Sequence, residues 1–289
     1  MQKTCLLNLR SFILFIAFCY FLSVPIACNI INPAEPIPAY IRVHDPKVIT
    51  LAAQGSASEN ISNYWLFVNN QAEGVYNRTG NYPLIAEGTT KLAFLAGIKD
   101  NGVSNLRVVY PFYTADTITT TLNPNGTIDI YPTFRYISGT QFKVLEDFEL
   151  GSVLISSNAS NPLVRSSLPE DVFEGSFSAK IKLDSITPGI ELLSIDPFTL
   201  PLLGFDIYIE LNYKSDVPFV VGLQSMSTSQ KFYQWTITPK SEWNKIYLNA
   251  KSLVNTTNNA SWKLLIYSAP DTLTGTKYIY LDNVKVLHQ

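Results

Sequence analysis

Apolar and polar residues alternate with a period of two over much of the chain, the spacing that sends successive side chains to opposite faces of a strand. Ala179, Ile181 and Leu183 alternate with Lys180, Lys182 and Asp184, and Phe205, Ile207, Ile209 and Leu211 alternate with Asp206, Tyr208 and Glu210. Tyr233, Trp235 and Ile237 repeat the pattern, as do Ile246 and Leu248 against Lys245 and Tyr247, and Trp262, Leu264 and Ile266 against Lys263 and Leu265. Each run predicts a strand with one buried and one wet face. Nearer the N-terminus, 64–68 is apolar on both faces, as in the middle of a sandwich. Asn69-Asn70, followed by Gly74-Val75-Tyr76, predicts a hairpin. Further strands are expected at 91–96, 105–110, 118–122 and 127–131, parted by Gly97, Asp100-Asn101-Gly102, Pro111 and Asn123-Pro124-Asn125-Gly126. No window carries a helical stripe, so helix is expected only as a turn or two within 252–256. The expected class is all-β, with two β-sandwich domains in tandem at 40–140 and 141–289.

The first 27 residues read differently. Lys3 and Arg10 precede an apolar run from Phe12 to Ala27, the layout of an export signal. The chain has three cysteines, Cys5, Cys19 and Cys28, so nothing after residue 28 carries a thiol. A single cysteine directly after the small residue Ala27 fits an acylated N-terminus better than a disulfide, which needs a partner. Residues 28–39, with Pro33, Pro36 and Pro38, then predict a short, stiff tether.

Composition narrows the function classes. The formal net charge of −2 becomes −4 when Lys3 and Arg10 leave with the leader, and no basic cluster occurs, so nucleic acid is excluded as an expected partner. Two histidines, His44 and His288, and the absence of nucleophile-elbow, zinc or phosphate-loop motifs leave little for metal or Ser-His-Asp chemistry. Paired carboxylates suffice for glycoside hydrolysis, and Glu146, Asp147, Glu149 and Glu174 would supply them. Trp65, Trp243 and Trp262 sit within apolar alternation and are expected in the core. Tyr208, Tyr233, Tyr278 and Tyr280 lie among polar residues and are the candidates for a ligand-binding platform, since an accessible ring can stack on a sugar.

Val24-Pro25-Ile26-Ala27-Cys28 resembles a bacterial lipoprotein signal, with Pro25 standing where an aliphatic residue is usual. That resemblance implies lipid on Cys28, and more than one acyl chain gives stable anchoring. Leu145-Glu146-Asp147-Phe148-Glu149, the segment 173–179, Trp243-Asn244-Lys245-Ile246-Tyr247-Leu248 and the segment 280–286 resemble, in order and spacing, the galactose-binding-like jelly rolls of many carbohydrate-binding modules. This implies a jelly roll for the C-terminal half. It also implies a structural calcium held by Glu149, Glu174 and Asp282, an ion that takes six to eight oxygen ligands. The N-terminal half is expected to be an Ig-like or PEGA-like sandwich. Its segments 37–41, 96–102 and 110–113 are similar to stretches of uncharacterised Bacteroidota lipoproteins, which implies an outer-membrane address. The expected function is a non-catalytic, lipid-anchored subunit of an outer-membrane protein complex. Glycan capture comes second and a glycoside-active enzyme third.

Overall fold

The computed structural model describes residues 12–18 and 35–289. Residues 12–18 are helical, and residues 35–289 are built almost wholly of strands. Among the described residues no helix is long and apolar enough to cross a membrane. Cys28, and with it the lipidation expected there, lies outside the described residues.

The C-terminal half is a sandwich of two antiparallel six-stranded sheets. In one, the strands Val164–Ser166, Ser178–Leu183, Lys277–His288, Ile207–Ser215 and Lys240–Asn249 lie in that order, and Gln141–Glu146 pairs with the far end of Lys277–His288. In the other, the order is Leu154–Ser156, Ile190–Ser194, Ser261–Ser268, Phe219–Ser225 and Lys231–Ile237, with Phe198–Thr199 also on Ser261–Ser268. Between them lies one apolar cluster that takes in Ile181, Leu183, Ile209, Leu211, Leu264 and Ile266, the inward positions of the alternation. The expected helix is present as Lys251–Thr257, and Asn258 caps it in the left-handed conformation (φ 47°).

The N-terminal half is a smaller sandwich with its own core. Gln71–Asn77, Asn63–Val68, Gly88–Lys99 and Arg107–Val109 form one sheet, with Asp116–Leu122 beside the first half of Gly88–Lys99. Gly80–Leu84, Ala39–Val43 and Thr127–Ile130 form a second, in which the last two strands run parallel. The Asn69-Asn70 hairpin is present, both residues holding positive φ (50° and 67°), as a two-residue turn that matches strand twist requires.

Three expectations are corrected, each for a packing reason. Ile207–Ser215 has no wet face: Tyr208 and Glu210 are as buried as Ile207 and Ile209, because the N-terminal sandwich covers the outer side of that strand. Lys245 and Tyr247 are buried for the same reason, and Tyr208, Tyr247 and Leu287 belong to the N-terminal core cluster. Trp65 is not core. It is 37% exposed, because the outer face of its sheet is open. Tyr233 leaves the buried set because of a bulge: Val221 pairs Trp235 but Gly222 pairs Tyr233, so Gln234 is skipped and the phase flips. Phe232 then packs on the core in its place. A side chain at Gly222 would run into the Phe232 carbonyl, which explains the glycine.

The junction between the sandwiches holds a buried polar network. Glu210 and Lys245 form an ion pair at 2.6 Å with side-chain exposures of 0% and 1%. The hydroxyl of Tyr136 donates to both Glu210 oxygens at 2.9 Å, and that of Tyr110 donates to the same carboxylate. Lys285 donates to the Tyr136 hydroxyl at 3.3 Å and to the Ser56 carbonyl at 2.7 Å. Burial alone would raise the Glu210 carboxyl, but the Lys245 and Lys285 ammonium groups and the phenol donors hold it below the ordinary value. Burial lowers Lys285 to about 8, with Glu210 acting against that shift. Residues 56–60 act as a strap over the C-terminal sheet: Ser58 donates to Asn212, Lys245 donates to the Ser58 carbonyl, and the Asn60 amide reaches the Tyr247 hydroxyl. One half of that sheet's outer face is therefore covered, and the other half is open.

Candidate ligand-binding face

The open half carries a row of aromatic rings. Tyr278 and Tyr280 are alternate residues of one strand, so both point outward, with ring centroids 6.0 Å apart. Trp243 stands 6.4 Å from Tyr280, and Phe173 stands 5.4 Å from Trp243. Interplanar angles of 33° between Tyr278 and Tyr280 and 60° between Tyr280 and Trp243 make the row twisted rather than flat. The Trp243 indole N–H is buried and meets no acceptor, so only the ring, not its donor, faces outward. Past Tyr278 the row opens into a depression of about 520 Å³ whose walls include Val164, Ile186, Lys180, Lys182, Asn161 and Thr187.

Charged side chains border the row. Lys180 Nζ lies 4.7 Å from the Tyr278 ring centre and 5.5 Å from that of Tyr280. Lys214 Nζ lies 4.6 Å from Tyr280 and 5.6 Å from Trp243. Asp171, beneath the surface, pairs with Lys180 at 2.7 Å. Burial would raise Asp171, but Lys180 and the Ser166 hydroxyl bring it below the usual carboxylate range. Burial and the neighbouring Asp171 push the Tyr280 phenol well up, so it stays neutral.

Of the four candidate tyrosines, then, two come together and two do not. Tyr208 is 2% exposed and donates to Asp100 at 2.9 Å inside the junction, so it cannot be a platform. Tyr233 is 48% exposed but belongs to the opposite sheet, where it packs on Tyr267 at 5.1 Å and donates to Glu191. Burial and Glu191 push its phenol up to about 12. Trp243 joins the row instead of the core. Its strand, Lys240–Asn249, runs past the edge of the covered region, and the buried positions resume at Lys245. Sequence alternation alone could not separate those two halves of one strand. Trp262 is fully buried, as expected.

The candidate carboxylates share a cleft of about 460 Å³ between the strap and the C-terminal sandwich, lined by Asp147, Glu149, Glu174, Asp282 and Asn283 together with Ser56. Most of their oxygens are spent. Glu149 accepts from the amides of Ser176 and Phe177, and Glu174 accepts from Asn283 and Ser56. Asp282 accepts from the Ser178 hydroxyl at 2.6 Å and the Asn283 amide at 2.7 Å. Among the described residues no group of three or more His, Cys, Asp or Glu side chains is disposed to hold a metal ion. Glu146 is buried and takes the amides of Phe148 and Val153, a structural use that leaves it no reach to a substrate.

Burial raises Asp282 to about 6 despite its donors, and the Glu174 charge adds to the rise. The folded protein thus keeps a proton that the unfolded chain loses near pH 4. This group's stabilisation is complete below that pH and is lost as pH rises through about 6, a change of at most ~3 kcal/mol. Urea melts across that window are expected to show the decline, and Asp282→Asn to flatten it. An identical slope in the variant would contradict the assignment. Calcium in the cleft would hold Asp282 ionised and erase the slope in the native protein. Melts in millimolar calcium that match those in chelator would remove the expected ion.

A more enclosed cleft of about 300 Å³ at the junction is lined by Lys99, Asn101, Tyr213, Lys240 and Asn244. Its walls are tied across the two sandwiches, as by Asn101 accepting from the Asn249 amide at 2.8 Å, and it offers no open aromatic face.

No family model matches the chain, and no curated protein matches it. Among solved structures it is similar to a family 29 carbohydrate-binding module variant complexed with cellulohexaose, at 12% identity and TM-score 0.38, over 52% of this chain and 93% of that one. A second variant of that module, complexed with mannohexaose, is similar at 12% identity and TM-score 0.37, over 51% of this chain and 92% of that one.

Proposed function

We propose that the C-terminal sandwich binds polysaccharide, without catalysis, along the row Tyr278, Tyr280, Trp243. The observation that carries this reading is the row itself: neighbouring half-buried rings on one open sheet face, bordered by polar groups and continuous with a depression. Rings so placed present apolar faces to the apolar faces of pyranoses, while the ammonium groups at the row meet hydroxyls. This reading reverses the order expected from sequence, where a protein-complex subunit stood ahead of glycan capture. The glycosidase reading loses support, because Glu146 is consumed structurally and Glu149 is held by backbone amides. The experiment is affinity electrophoresis of the protein through gels containing a panel of soluble polysaccharides. Retardation by at least one is expected; unimpeded migration through all of them would overturn the proposal.

Lipid on Cys28 remains part of the proposal, since it would hold such a binder at a membrane surface. Metabolic labelling with a fatty acid is expected to mark the protein and to be lost in Cys28→Ala. Label that persists in the variant would sink the anchor.

A further inference from the structure

We infer that the polysaccharide taken by this face is anionic, a polymer of uronic acids; the inference rests on the binding reading above. Strand register puts Lys180 and Lys214 directly opposite Tyr280, one on each side. Lys182 stands opposite Tyr278 in the same way. Two ammonium groups therefore lie at the two rings, and a third lysine stands beside Tyr278 with its ammonium on Asp184. Their carboxylate partners do not face outward to the same degree. Asp171, which anchors Lys180, has a side-chain exposure of 3%, and Asp184, which pairs with Lys182, has 18%, against 56% for Lys182 itself. Lys214 donates only to a main-chain acceptor, the Glu170 carbonyl, and pairs with no carboxylate among the described residues.

The hydrogen-bonding character of the face points the same way. An ammonium carries three N–H donors and no acceptor, so Lys180, Lys182 and Lys214, each held by one protein oxygen, keep donors for a ligand's acceptors. A neutral sugar hydroxyl brings a donor with every acceptor, and that proton needs an acceptor in turn. Asp171 and Asp184 are held by Lys180 and Lys182, and Asp216 accepts the Tyr278 amide at 2.9 Å. A uronate brings two acceptor oxygens and no donor, and a charge-assisted bond to an ammonium is stronger than a neutral one. The spacing repeats along the row, with a cation over each gap between rings. A polymer with a carboxylate on each stacked ring would engage the cations in succession.

The test compares polygalacturonate, polymannuronate and glucuronan, each with its own carboxyl-reduced form, which keeps the backbone and loses the charge. Binding of the protein is measured by calorimetry. At least one uronate polymer is expected to bind about five- to tenfold tighter than its reduced form, since each exposed pair contributes up to about fivefold. The preference is expected to shrink in about 0.5 M salt and in Lys214→Met. Equal or tighter binding of the reduced forms would overturn the inference and leave the binding face standing. A uronate preference unchanged in both Lys214→Met and Lys214→Glu would place the charge recognition elsewhere and also overturn it. Binding to no polymer of the set or of the wider neutral panel would remove the binding reading together with this one.

Discussion

Glu210→Ala is expected to destabilise the protein by about 3–5 kcal/mol, because it strands buried cations that the folded state cannot solvate. Lys245 is 1% exposed and pairs with Glu210 at 2.6 Å, and the Tyr110 and Tyr136 hydroxyls point at the same carboxylate. Removing the carboxylate leaves an ammonium and two phenol donors without their acceptor at the seam between two cores. Glu210→Gln keeps an acceptor and loses the charge, so it is expected to fall between. The double variant Glu210→Met with Lys245→Met removes the pair together and is expected to recover the part of the loss due to the stranded ammonium, while the Tyr110 and Tyr136 hydroxyls stay without their acceptor. Lys285, already lowered to about 8 by burial, can shed its proton near neutral pH at modest cost. Urea unfolding ranks these proteins, and the single variants Glu210→Met and Lys245→Met complete a double-mutant cycle for the pair. A Glu210→Ala loss below about 1 kcal/mol would show that the seam is hydrated, not buried.

The seam was also the part of the fold least legible in sequence. Alternation marked Ile207, Ile209 and Leu211 as one face and Tyr208 and Glu210 as the other, and both assignments of side hold. What alternation cannot say is whether water or a second sandwich lies against the polar side. Tyr208, Glu210, Lys245 and Tyr247 all read as solvent-facing and are all buried. Turn chemistry was legible, as at Asn69-Asn70, because positive φ is a property of the residues themselves. The bulge at Gln234 was not, since it depends on pairing with Gly222 across the sheet, and it moved Tyr233 from core to surface. The candidate site followed the same rule. Tyr278 and Tyr280 could be proposed from one strand, whereas Trp243, Phe173 and Lys214 come to them from other segments, and only strand order brings these together. Glu149, Glu174 and Asp282 line one cleft, but their hydrogen bonds to local amides and hydroxyls were invisible in the sequence.

Trp243→Ala is expected to weaken polysaccharide binding by about 10- to 100-fold, the loss of a central aromatic anchor at a well-packed contact. Trp243 is the hub of the row. It touches Phe173 on one side and Tyr280 on the other. Its removal deletes a stacking face and leaves Tyr280 without its neighbour. Tyr280→Ala is expected to cost a similar amount, whereas Tyr233→Ala, on the opposite sheet, is expected to leave binding unchanged. Because Trp243 is half-buried outside the main apolar cluster, the variant is expected to fold, and a native β spectrum with a near-native melting temperature checks this. Binding that survives both Trp243→Ala and Tyr280→Ala in folded protein would place the contact elsewhere.

The most direct test of the binding face is a nuclear magnetic resonance titration of isotope-labelled protein with a soluble oligosaccharide from any polymer that retards it. The face described here predicts saturable shifts at the Trp243 indole N–H, the Tyr278 and Tyr280 rings, and the backbone of Lys180 and Lys214, with the Tyr233 and Tyr267 rings unmoved. Shifts confined to Tyr233 and Tyr267, or to the N-terminal sandwich, would contradict it.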